Sequence, residues 1–104
     1  GRMKKFKIIA TPPGQAPEWV RKEWVGLELP ISISVPGGIE LFTSIPSGIF
    51  GGPSENDGGY IADGLTAVDL LATKSPAAAT WWRQNAPHVL HGQLVFKKEV
   101  CELV

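Results

Sequence analysis

The sequence predicts a small α+β fold, in which a curved, mostly antiparallel β-sheet or a partly open SH3-like barrel carries two to three short helices. Apolar and polar residues alternate in several short segments, which is typical of strands with one buried face. One alanine-rich segment near the C-terminal end has the capping signals of a helix. Twelve glycines and nine prolines supply the turns that such a fold needs.

The size and composition predict one globular domain. The chain has 104 residues, of which 43% are hydrophobic and 19% charged, so it can bury a core. We expect residues 3–104 to form this domain, and Gly1 and Arg2 to be left over from a cloning vector. Since no apolar run is long enough for a secretion signal or a membrane span, we expect a cytoplasmic protein that makes no membrane contact.

The first 24 residues predict a strand and a short helix. Residues 4–10 alternate as a strand, and their lysines suggest a position near a sheet edge. Pro17 is suited to the first position of a helix, where its missing N–H costs nothing. Val20 and Trp24 share one face of that helix, whereas Trp19 lies well round from Trp24, so we expect at most one of the two tryptophans to be fully buried.

The next segment predicts a β-hairpin. Every odd position of residues 25–35 is apolar, and residues 39–45 continue this pattern after a turn of one proline and two glycines. Pro30 points outward in the first arm, which indicates an edge, a bulge or a bend. The loop that follows, 46–59, is long and rich in glycine, and such loops are often functional or mobile.

Two interpretations are open for the segment after the loop. Residues 60–62 predict a short strand that ends at Asp63. Residues 64–74 can form a helix that Asp63 caps, with Leu65, Val68 and Ala72 along one stripe and Leu71 beside it. Alternatively, they can form the second arm of a hairpin with a turn at Asp63 and Gly64. The poor alternation after Asp63 favours the helix.

The last thirty residues predict a helix and a return to strand. Ser75 caps the helix, Pro76 takes its first position, and the sequence after Asn85 ends it. Residues 92–104 have strand character, but the inward-facing set changes parity around residues 97–99. A bulge or a turn is therefore expected at that point.

The leading functional hypothesis is a small non-catalytic binding or assembly domain that contacts a protein partner or a second copy of itself. Four tryptophans are many for this length, and aromatic residues and arginine dominate protein interfaces. The candidate contact residues are Trp19, Trp82 and Arg83. Filling of a small core is the competing and favoured explanation for the adjacent Trp81 and Trp82.

The runner-up hypothesis is a small-molecule-binding protein or a small enzyme that uses the 46–59 loop. Its candidate ligand-binding residues are Asn56, Asp57 and Tyr60. The loop lacks the ligand spacing of a calcium-binding loop and the lysine of a phosphate-binding loop, so no cofactor is expected.

Metal and thiol chemistry are both disfavoured by the sequence. His88 and His91 have a spacing that could place them on one helical turn, but no further ligand lies nearby, and they are interpreted as loop histidines. Cys101 lies in an apolar segment that offers nothing to lower a thiol pKa, and it is interpreted as a buried structural thiol.

Nucleic-acid binding is the third hypothesis and is also disfavoured. Ten basic residues balance ten acidic ones, so the chain lacks the positive field that attracts phosphate backbones. The hypothesis requires six basic residues to gather on one face: Lys4, Lys5, Lys7, Arg83, Lys97 and Lys98.

Overall fold

The computed structural model describes residues 5–32 and 59–104, and these residues form two antiparallel sheets and three α-helices. The predicted α+β class is therefore confirmed, and within the described residues the sheets do not close into a barrel. The second arm of the predicted hairpin, 39–45, lies outside the described residues, as does the 46–58 part of the long loop.

The first sheet has three strands, β1 (Lys5–Ile8), β2 (Glu28–Pro30) and β5 (Cys101–Leu103). Strand β1 lies between β2 and β5 and pairs antiparallel with both. The predicted position of the first strand near a sheet edge is therefore wrong. The partner on one side comes from the opposite end of the chain, and such a long-range pairing leaves no local signal in the sequence.

The alternation of β1 does separate a buried face from a solvated one, as expected. The buried side chains of this sheet are Phe6, Ile8, Leu29 and Cys101. On the other face, Lys7 lies opposite Glu28 of one neighbouring strand and opposite Glu102 of the other. Opposite charges at directly opposed positions stabilise a sheet modestly.

Within residues 25–32, the described part of the strand predicted over 25–35, only Glu28–Pro30 is a strand. The chain forms a 3₁₀ turn over Lys22–Trp24, and Gly26 then adopts a φ of +95°. This left-handed conformation, which glycine tolerates, interrupts the extended backbone before the strand can begin. Among the described strands, β2 lies at the edge of the first sheet, which is one of the three alternatives (an edge, a bulge or a bend) that Pro30 indicates.

The second sheet pairs β3 (Gly59–Asp63) with β4 (Gln93–Lys97). A 3₁₀ turn over Lys98–Val100 separates β4 from β5 and carries the chain from the second sheet to the first. The predicted turn at the change of parity around residues 97–99 is confirmed.

Helix α2 spans Gly64–Lys74, so the helical interpretation of this segment is confirmed. The Asp63 carboxylate accepts hydrogen bonds from the Thr66 amide (3.1 Å) and hydroxyl (3.0 Å), which stabilises the first turn. The predicted stripe is wrong at one position, because Leu65 is 49% exposed. The buried stripe is Ala67, Val68 and Leu71.

Helix α3 spans Pro76–Asn85 and begins as the sequence predicts, because the Ser75 hydroxyl accepts a hydrogen bond from the Ala78 amide at 3.2 Å. Helix α1 spans only Glu18–Arg21 before it tightens into the 3₁₀ turn. Val20 and Trp24 are buried, as their shared face predicts.

A close backbone approach joins helix α2 to the 3₁₀ turn Pro87–His91, which follows α3. The Gly64 amide donates to the Gly92 carbonyl at 2.9 Å. A β-carbon at Gly64 would lie 1.8 Å from the carbonyl oxygen of Val89. Only glycine permits this contact. The contact holds the buried Val89 against the N-terminal end of α2.

Candidate functional site

A cleft of about 220 Å³ lies where the loop 12–16, the last residue of α1, helix α3 and the turn Pro87–His91 meet strand β4. Most of its wall is apolar. The aromatic lining residues are Trp24, Trp81, Trp82 and Phe96, and the other apolar ones are Pro12, Pro13, Ala16, Ala86, Val89 and Leu94. Gln15, Arg21, Asn85 and His88 are the polar lining residues.

The aromatic residues form a continuous edge-to-face series. The Trp81 and Trp82 rings are 5.3 Å apart and inclined by 88°, and Trp82 and Trp24 are 6.0 Å apart at 62°. Trp24 in turn lies 5.2 Å from Phe96 at 73°. Aromatic pairs favour this geometry. The series therefore gives the cleft a preformed apolar wall.

The indole N–H of Trp82 is buried without a hydrogen-bond acceptor among the described residues. The side chain is only 8% exposed. An indole N–H can only donate, and a buried donor without an acceptor costs about 1–3 kcal/mol.

Arg21 is held beside the cleft by main-chain carbonyl groups of the loop before its helix. Its Nε donates to the Ala16 carbonyl at 2.7 Å, and its Nη1 donates to the Pro12 carbonyl at 3.1 Å. No aspartate or glutamate is among the described residues that line the cleft. The guanidinium group is thus fixed in place while its positive charge is not neutralised by any described side chain.

The three predicted partner-contact residues differ in their exposure to solvent. Trp19 is 46% exposed on α1, and Arg83 is exposed on α3, where its Nη2 lies 3.0 Å from Oδ1 of Asp69. Trp82, in contrast, is buried in the wall of the cleft. Trp82 therefore does not share an exposed surface with Trp19 and Arg83. Trp24 is buried, so only one of Trp19 and Trp24 is inside, as predicted.

Of the three predicted ligand-binding residues, Tyr60 is not among the described residues that line the cleft. Asn56 and Asp57 lie outside the described residues. Tyr60, on β3, is partly buried and stacks on Phe6, with ring centroids 5.0 Å apart and planes inclined by 14°.

Both histidines lie in the 3₁₀ turn that follows α3, and both are exposed. His88 lines the cleft. Across residues 5–32 and 59–104, no three side chains of the metal-ligating types histidine, cysteine, aspartate and glutamate come together. Cys101 is buried, and burial raises the pKa of its thiol from 9.0 to about 12.

Two of the basic residues that the nucleic-acid hypothesis requires lie beside carboxylates. Lys7 lies between Glu28 and Glu102 across the strands, and Arg83 is paired with Asp69. Lys4 lies outside the described residues.

Sequence reasoning did not find Arg21 as a site residue, because its position near the end of α1 is explained by the helix dipole. From the sequence alone, the prolines and the glycine of the loop 12–16 predict only that the first strand ends there. No sequence signal marks the meeting of this loop with helix α3, which lies sixty residues further along the chain.

Comparisons of the chain with protein-family models, with curated proteins and with solved structures found no match. Among the helices of the described segments, none combines the length and the hydrophobicity needed to cross a lipid bilayer.

Proposed function

We propose that this chain is a small binding domain, and that the cleft between the loop 12–16 and helix α3 holds a small molecule with an apolar body. The observation that carries the proposal is the apolar wall of the cleft, which is preformed by the edge-to-face series of Trp81, Trp82, Trp24 and Phe96. Ligand pockets typically combine an apolar lining with a few polar groups that fix the orientation of the ligand.

The size of the cleft supports a small ligand. An apolar cavity of about 150 Å³ accommodates benzene in an engineered protein, and this cleft measures about 220 Å³. A single ring with a short substituent would fill it. The rigid series of aromatic rings lowers the cost of binding, because these side chains are already ordered.

The lining residues support binding rather than catalysis. Within the described part of the chain, His88 is the only lining residue suited to general acid–base work, and no hydroxyl, thiol or carboxylate side chain accompanies it. Acid–base and covalent catalysis need such groups in pairs or triads.

Nuclear magnetic resonance of the indole N–H groups tests the proposal. The four tryptophans give separate indole signals, which single tryptophan-to-phenylalanine variants assign. We expect one-ring aromatic fragments at millimolar concentration to shift the signals of Trp24, Trp81 and Trp82 and to leave that of Trp19 unchanged. The absence of any fragment that shifts the three cleft signals would overturn the proposal.

Two variants separate the cleft from the rest of the surface. Trp81→Ala removes a half-buried ring from the cleft wall and is expected to weaken fragment binding about tenfold. Trp19→Ala removes an exposed ring that does not line the cleft and is the matched control. Equal weakening by the two variants would contradict the proposed site.

A second candidate function is the protein–protein binding that the sequence favours. The observation that supports it is the 46% exposure of Trp19, because an exposed tryptophan is the residue type most enriched at interface hot spots. Sedimentation at increasing concentration tests self-association. If a dimer forms through this surface, Trp19→Ala weakens it, whereas Trp81→Ala does not.

A further inference from the structure

We infer that the ligand of the cleft is a small organic anion, namely a monocarboxylate attached to a single aromatic ring or to an apolar group of similar size. The inference rests on the proposed function, since it names the chemical class of molecule that the same cleft takes. Three features carry it: the charge of Arg21, the way in which Arg21 is held, and the volume of the apolar space.

Arg21 supplies a positive charge that has no described counter-ion. It makes two hydrogen bonds, to the carbonyls of Ala16 and Pro12, and a guanidinium has five N–H donors. Both N–H groups of Nη2 are therefore unused by the described residues. A carboxylate accepts two parallel hydrogen bonds from two neighbouring guanidinium nitrogens, here Nη2 and the second N–H of Nη1, and this geometry makes arginine the preferred partner of planar anions.

The comparison with Arg83 shows what is unusual about Arg21. Arg83 is more exposed, and it is paired with the carboxylate of Asp69 at 3.0 Å. Arg21 is partly buried, where loss of hydration makes an uncompensated charge more costly. Arg21, the more buried of the two, thus lacks a described carboxylate partner, whereas the more exposed Arg83 has one.

Main-chain carbonyls hold the guanidinium without neutralising it. A carbonyl oxygen accepts a hydrogen bond but carries no net charge, so Arg21 stays oriented and remains able to attract an anion. Among the described lining residues it is the only one with a permanent charge. Arg21 therefore contributes a positive potential to the cleft, and low-dielectric aromatic walls strengthen its effect.

The volume of the cleft matches a one-ring acid. Benzene has six heavy atoms and fills a cavity of about 150 Å³, and the cleft measures about 220 Å³. Benzoate has nine heavy atoms and keeps a similar ratio of atoms to space. Its ring would pack against the tryptophan series, and its oxygens would accept from Arg21.

Binding of three probes to the wild-type chain tests the inference without any substitution. The probes are benzoate, its neutral isostere benzamide, and acetate, which carries the charge without the ring. We expect benzoate to bind at least tenfold more tightly than either of the others, with shifts of the cleft indole signals. High salt should weaken benzoate binding and leave benzamide unchanged.

Arg21→Gln removes the charge, and Arg83→Gln is the matched control on the exposed face of α3. We expect Arg21→Gln to reduce the affinity for benzoate about tenfold or more and to leave benzamide binding unchanged. Arg21→Lys keeps the charge and should retain part of the selectivity for benzoate. Thermal unfolding of each variant verifies that it is folded.

The outcomes distinguish the two proposals. If benzamide binds as tightly as benzoate and both shift the cleft signals, the inference of an anionic ligand is wrong, but the proposal that the cleft binds a small molecule is supported. If acetate binds as tightly as benzoate, the apolar part of the inference is wrong. If neither benzoate nor any neutral fragment shifts the cleft signals, both the inference and the proposed function fail.

Discussion

The contact between Gly64 and Val89 gives the sharpest prediction on stability. In an ordinary helix, replacing glycine with alanine stabilises the fold by about 0.5–1 kcal/mol, because alanine loses less conformational entropy. At Gly64 we expect the opposite sign. The new β-carbon would lie 1.8 Å from the Val89 carbonyl oxygen and 2.8 Å from its carbonyl carbon.

The magnitude follows from the displacement that this contact requires. An ordinary van der Waals contact begins at 3.4 Å, so the Val89 backbone must retreat by roughly 1.5 Å to remove the overlap. Forced shifts in a packed core cost about 1–3 kcal/mol and occasionally more. We therefore expect Gly64→Ala to lower the free energy of unfolding by about 2 kcal/mol, or the melting temperature by roughly 10 °C.

Urea unfolding followed by tryptophan fluorescence measures this change. Gly92→Ala is the control, because its β-carbon would lie at an ordinary 3.6 Å from the His88 carbonyl oxygen. It should change stability by less than about 0.5 kcal/mol. A Gly64→Ala variant as stable as the wild type would refute the reasoning. Since Val89 lines the cleft, the same variant should also weaken fragment binding there.

Three further predictions concern the remaining elements. Asp63→Ala should destabilise the protein by about 1 kcal/mol in denaturant unfolding, because helix α2 loses its N-terminal cap; no change would show that the cap is dispensable. Lys7→Glu would place a third acidic side chain between Glu28 and Glu102, and it should lower the free energy of unfolding by about 0.5–1 kcal/mol, and by less at high salt. An effect independent of salt would contradict this electrostatic origin. Burial raises the pKa of the Cys101 thiol from 9.0 to about 12. Between these two pH values the thiol is deprotonated in the unfolded chain but still protonated in the folded one. Its contribution to the free energy of unfolding therefore falls as the pH rises from about 9 to 12. Unfolding across that range should show a smaller decline in Cys101→Ala than in the wild type, and equal declines would count against the assignment.

The sequence by itself determined the elements whose signals are local. Ser75 and Pro76 mark the start of α3, and Asp63 marks the start of α2, because a cap and a first turn involve neighbouring residues only. The change of parity around residues 97–99 likewise located the turn between β4 and β5. The strand predicted over 25–35 was too long where described, since alternation alone does not reveal the left-handed conformation of Gly26.

Only the tertiary structure decided the features that depend on distant pairing. Strand β1 became central because residues near the C-terminal end pair with it. The cleft forms where the loop 12–16 and helix α3 come together. Arg21, at the end of helix α1, is held there by the loop and is the one permanently charged residue among the described lining residues. The same packing buries the ring of Trp82 and leaves its N–H without a described acceptor. Residue type and spacing encode what a segment can form, whereas the surroundings of a side chain depend on which segments meet in space.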